Sequence, residues 1–173
     1  MTVRSKGYSD TLEFGGVGMS FESALQLAEM TTERILVQTT KPRLTLRHFA
    51  FVAFNGALMD STSYQRFDEA LGEQPPLTRF IGHHGNESEY VVRERQDLPE
   101  VDTAEVRLMT DALVANLKST YPAGYRVDYD TLVKMTHSLG FFPTISERHL
   151  LFRNLKYTNG IMKMKDGTYV HLT

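Results

Sequence analysis

Met135-Thr136-His137-Ser138-Leu139-Gly140-Phe141-Phe142-Pro143-Thr144-Ile145-Ser146-Glu147 contains the end of one helix, a break and the start of the next. Leu132, Met135 and Leu139 stand at core spacing on a helix that Asp128 or Asp130 begins. Gly140 suits the left-handed backbone that follows many helices. Thr144 and Glu147, three residues apart, have the form of a capping box, in which each side chain accepts a hydrogen bond from the other residue's backbone amide.

Downstream, Leu150, Leu151 and Leu155 continue a helix over 144–159 that Asn159-Gly160 ends. Two short runs, Ile161 to Met164 and Thr168 to Leu172, flank Lys165-Asp166-Gly167, which signals a hairpin over 161–172. Upstream, Pro122-Ala123-Gly124 turns the chain and Tyr125-Arg126-Val127 is briefly extended. Before that, Asp102 and Glu105 form another capping box with Val101 and Val106 at its staple positions, and the helix carries Met109, Leu113 and Leu117.

The first hundred residues are less regular. Ser20 caps a helix with Phe21, Ala24, Leu25, Ala28, Ile35 and Leu36 on one face, closed by Pro42. A second helix over about 45–59 carries Phe49, Phe51 and Phe54, apolar on nearly every side, and such a helix is buried in a core or under a partner. Ser61 caps a third, stopped by Gly72 and Pro75-Pro76. From Leu77 to Pro99 one short strand, Glu89 to Arg93, is expected within irregular chain. The organisation read from these signals is an N-terminal arm (1–19), a helical lobe (20–74), a connecting loop region (75–100) and a C-terminal lobe (101–173). The fold class is mainly α: a helical N-terminal lobe plus a helix-turn-helix-type lobe ending in a short β-hairpin.

The chain has 173 residues, no Cys and a net charge of −2, so disulfides, thiolate metal sites and a cysteine nucleophile are excluded. No apolar run reaches the length of a membrane span. Met1 to Lys6 is not followed by the apolar segment of a secretory signal. An intracellular location, cytoplasm or organelle matrix, is expected. Charge is uneven: Asp60 to Asp130 holds 14 acids against seven Lys or Arg, whereas Pro143 to Thr173 holds Arg148, Arg153, Lys156, Lys163 and Lys165 against Glu147 and Asp166.

Two designs share the order of elements in the C-terminal lobe. One is the winged helix, whose third helix enters the major groove with the hairpin beside it. In that reading Arg148, His149, Arg153 and Lys156 on the helix, with Lys163 and Lys165 on the hairpin, face phosphates. The other is an EF-hand pair: Leu139-Gly140, two variable residues, Pro143-Thr144 and then Glu147 resemble the linker between two hands in calmodulin and centrin, over about residues 120–165. The resemblance places Val127 at the inter-loop strand. It departs at the ligand positions, where Thr120, Pro122, Gly124, Arg126 and Asp128 offer too few oxygens for calcium. What it implies is a hand without metal, like those of myosin light chains, clasping a partner helix through Met135, Leu139, Phe141, Phe142, Leu151 and Phe152.

Catalytic patterns fail on context. Gly15-Gly16-Val17-Gly18 lacks the Lys-Ser or Lys-Thr of a phosphate loop. His83 and His84 are adjacent and point apart, a poor start for a metal site. Arg47, Ser61-Thr62-Ser63 and Glu87-Ser88-Glu89 resemble marks of ADP-ribosyltransferases, but the serine segment, a strand in that family, reads here as a helix start. The expectation is a non-catalytic accessory subunit without cofactor or metal. Its partners are other protein subunits of a larger complex, met through Phe49, Phe51, Phe54, Met135, Leu139, Phe141, Phe142, Leu151 and Phe152. The alternative is a winged-helix nucleic-acid binder.

Overall fold

The structure, a computed structural model, describes residues 19–55, 60–81 and 87–173. The Gly15–Gly18 run, nearly all of the expected arm, positions 56–59 of the second helix and the His83-His84 pair lie outside the described residues. The chain divides into two compact units, Met1–Pro99 and Glu100–Thr173. The described part is mainly helical, with two small antiparallel sheets, one of them a C-terminal hairpin.

In the first unit α1 (Phe21–Gln38) begins at Ser20, whose hydroxyl accepts from the Ser23 amide at 3.1 Å, and it buries Ala24, Ala28 and Ile35. β1 (Arg43–Thr45) runs into α2 (Leu46–Phe54), capped by Thr45 and ended by Asn55 at φ 51°. Asn tolerates this left-handed backbone because its short polar side chain can bond locally. α3 (Ser61–Gly72) is capped by Asp60, which accepts from the Ser63 amide at 2.8 Å. The expected cap, Ser61, is instead the first helical residue. A carboxylate at that end is doubly favoured, as acceptor and as negative charge against the helix dipole.

The expectation of an N-terminal lobe made only of helices is corrected here. β2 (Leu77–Phe80) and β3 (Glu89–Val92) join β1 in an antiparallel sheet of order β1-β3-β2, with Leu44 opposite Tyr90 and Arg79 also opposite Tyr90. The stretch expected to be loop with at most one strand therefore supplies two of the three. Runs of three or four residues cannot show an alternating pattern; their strand character comes from pairing across the chain. α2 finds its cover within this unit: Phe49 packs edge-on against Tyr90 at 5.3 Å between ring centroids, and Phe54 against Phe67 at 6.1 Å.

In the second unit α4 (Thr103–Thr120) is capped by Asp102, which accepts from the Glu105 amide at 3.1 Å. The amide of Asp102 itself donates to Glu147 at 3.4 Å, so this cap is tied across to a later helix as well as to its own. α5 (Tyr129–Ser138) starts at Asp128, not Asp130, and Gly140 just past it has φ 89°. α6 (Ile145–Lys156) carries the full capping box: Glu147 N donates to Thr144 Oγ1 at 3.3 Å and Thr144 N to Glu147 Oε1 at 3.0 Å. β4 (Ile161–Lys163) and β5 (Tyr169–His171) form the hairpin, and Val127 bridges to Tyr169 on its other side. Val106, Met109, Leu113, Leu117, Leu132, Leu151 and Leu155 close the core between the helices.

Candidate functional site

Helical geometry sorts the side chains of α6 into two faces. Leu151 and Leu155 are fully buried, and Phe152 nearly so. His149, Arg153 and Lys156, spaced by four and three residues, are exposed together on the opposite face, while Arg148 is half-buried at its edge. Lys163 and Lys165 are exposed on the hairpin. Lys156 Nζ lies 5.5 Å from the centroid of the Tyr157 ring and Lys163 Nζ 5.9 Å from that of Tyr169. These contacts leave the ammonium groups in water, where they can meet phosphate.

The hairpin is braced at both ends. Arg126 NH1 lies 2.7 Å from Asp166 in the turn. Asp166 also accepts from the Thr168 hydroxyl at 2.6 Å and its amide at 3.0 Å, and these bonds to Thr168, with Arg126 assisting, hold its carboxyl down to about 2. At the other end His171 is buried, with Nε2 2.6 Å from the Tyr121 carbonyl oxygen and Nδ1 2.8 Å from that of Thr173.

The nine apolar residues expected at a partner interface are divided between the two units. Phe49, Phe51 and Phe54 belong to the first unit, the other six to the second. Phe49 and Leu151 are fully buried, and Phe54, Phe142 and Phe152 nearly so. Met135 and Phe141 are partly buried against the second core. Phe51, at 45% exposure, and Leu139, at 37%, are the two that solvent reaches freely. A sequence shows that a side chain is apolar, not which of several apolar surfaces covers it.

The first unit holds a cleft of ≈ 400 Å³ lined by Leu46, Ser61, Tyr64, Asp68, Arg79 and Glu87 among others. Its carboxylates are paired with neighbouring donors. Asp68 takes two bonds from Arg79, at 3.0 and 2.7 Å, one from Ser88 at 3.0 Å, and one from Tyr90. Glu87 takes one from Arg47 at 3.1 Å and one from Tyr64. Burial, then the hydrogen bond to a carboxylate, pushes the phenols of Tyr64 and Tyr90 well above their ordinary range, and the bonds from Arg79 to Asp68 raise the guanidinium further. Arg47, Ser61 and Glu87-Ser88 thus gather on one side of the unit, with Ser61 opening a helix rather than lying on a strand. Among the described residues no group of three or more His, Cys, Asp or Glu could hold a metal ion, and no helix is long and apolar enough to cross a membrane.

Unread in the sequence were the pairing of the extended Val127 with Tyr169, the lock at His171, and the exposed aromatic rings of Tyr125 and Tyr157. Comparison with protein-family models, with curated proteins and with solved structures finds no match to this chain.

Proposed function

We propose that the second unit is a winged-helix-type nucleic-acid-binding module, in which α6 enters the major groove and the β4–β5 hairpin contacts the flanking backbone, without catalysis. The observation that carries this reading is the Val127–Tyr169 bridge. It gives a strand order of the 127 segment, β5, β4, behind three helices whose last presents His149, Arg153 and Lys156 to solvent. An EF-hand pair ends in a fourth helix; here a hairpin follows α6.

Cationic side chains on a helix and on an adjoining hairpin neutralise phosphates at separate points, and the counterions released make binding steeply salt-dependent. With four freely exposed Lys and Arg (Arg153, Lys156, Lys163 and Lys165), log Kobs for a random duplex falls against log salt with a slope of about −3 to −4. The double variant Arg153→Glu, Lys156→Glu is expected to halve that slope and weaken binding more than tenfold. Fluorescence anisotropy with a labelled duplex reads both; a variant that binds as the parent does contradicts the proposal.

The accessory-subunit reading keeps one specific support, in the first unit: consecutive exposure of Phe80 and Ile81 at the end of an edge strand. Adjacent large apolar side chains on an open strand are a surface other protein subunits cover. Phe80→Ser with Ile81→Ser then abolishes co-purification with a protein partner; unchanged co-purification contradicts this second reading.

A further inference from the structure

The loop between α4 and α5 carries an aromatic stack whose inner ring, Tyr121, packs against the second core and whose outer ring, Tyr125, is exposed. Tyr121, the C-terminal cap of α4, and Tyr125 lie face to face, with ring centroids 4.9 Å apart and planes 10° from parallel. Tyr121 is half-buried; Tyr125 is 53% exposed, so Tyr121 covers one face of its ring.

This loop is held to the hairpin from several directions. Gly124, at φ 83°, donates its amide to the His171 carbonyl at 2.9 Å. The Tyr121 carbonyl faces His171 Nε2. Val127 and Tyr169 exchange two backbone bonds at 2.9 Å, and Arg126 reaches Asp166. The Tyr125 amide closes the turn onto the Pro122 carbonyl at 3.1 Å. A ring backed by a second ring, on a loop fixed at both ends, is already in its binding conformation and loses little entropy when a flat partner stacks on it.

We infer that Tyr125, backed by Tyr121, is a stacking platform for an unpaired base, so that the ligand of this unit is a nucleic acid with a single-stranded segment beside its duplex. The inference rests on the nucleic-acid reading above and names the class of nucleic acid. Every base offers a π-face, so the platform is indifferent to sequence. The cation beside it in the chain, Arg126, sits on the same loop, and the hairpin that binds this loop also carries Lys163 and Lys165.

The test compares a blunt duplex with the same duplex bearing a four-nucleotide overhang, by fluorescence anisotropy at fixed salt. The overhang is expected to bind on the order of tenfold more tightly. Tyr125→Ala removes that advantage and leaves blunt-duplex affinity unchanged, while Tyr125→Phe keeps both, since the ring and not the hydroxyl stacks. The chain has eight Tyr and no Trp, so tyrosine emission that the overhang quenches in the parent and not in Tyr125→Ala reports stacking on this ring. Equal affinity for the two ligands, or an overhang advantage that survives Tyr125→Ala, overturns this inference while leaving the duplex reading intact. Absence of binding to either ligand overturns both.

Discussion

The two units bury carboxylates for opposite purposes. In the first, Asp68 on α3 receives bonds from Arg79 on β2, Ser88 before β3 and Tyr90 on β3, so one charge joins a helix to two strands. In the second, Glu147 serves chain ends: it accepts from the Thr144 amide at the start of its own helix and from the Asp102 amide at the start of α4. One carboxylate builds tertiary structure from side chains; the other completes helix caps through backbone donors. A buried charge is tolerated in both because its lone pairs are filled.

That contrast sets the sizes of the effects expected on breaking each. Asp68→Ala strands Arg79 and Tyr90 against the sheet and is expected to cost about 3–5 kcal/mol, read by denaturant unfolding, with amide exchange quickening first in β2 and β3. The first unit also carries the larger pH response. Burial, aided by Lys41, lowers His48 from its ordinary 6.5 to about 4. The folded imidazole stays neutral while the unfolded one charges, so stability is full above pH 6.5 and falls as the pH drops toward 4, by on the order of 2–3 kcal/mol. His48→Gln flattens that slope in thermal melts.

Glu147→Gln keeps one acceptor and places an amide where a carboxylate met two backbone donors; a loss of about 1–3 kcal/mol is expected in chemical denaturation. Smallest is the hairpin turn. Asp166, held down mainly by its bonds from Thr168, contributes above its ordinary pKa and loses that contribution as the pH falls toward 2. Asp166→Asn loosens the turn, seen as faster exchange of the Thr168 amide, with little change in melting temperature.

The same contrast explains what could be read in advance. Ser20, Thr144, Glu147, Gly140 and the Lys165–Gly167 turn act over three or four residues, so the helices and hairpin they bound were legible. β1 and β2 exist only through partners far along the chain, and Arg43-Leu44-Thr45 alone resembles any loop; the 127 segment was legible as extended chain, its pairing with Tyr169 was not. The cations of α6 were readable because exposed charge is local to a helix face. Phe49, Leu151 and Phe152, expected at an interface, are buried within their own units; apolar periodicity is the same for a core and for a docking groove. Tyr125 could have been found only by knowing that Tyr121 stacks behind it.

The measurement closest to the central claim is a residue-level footprint of a bound duplex, by amide chemical-shift perturbation on the full chain. The account predicts perturbations concentrated at His149, Arg153, Lys156, Lys163 and Lys165, fading as salt is raised. Perturbations confined to the first unit, or none with a duplex at tens of micromolar, would contradict it.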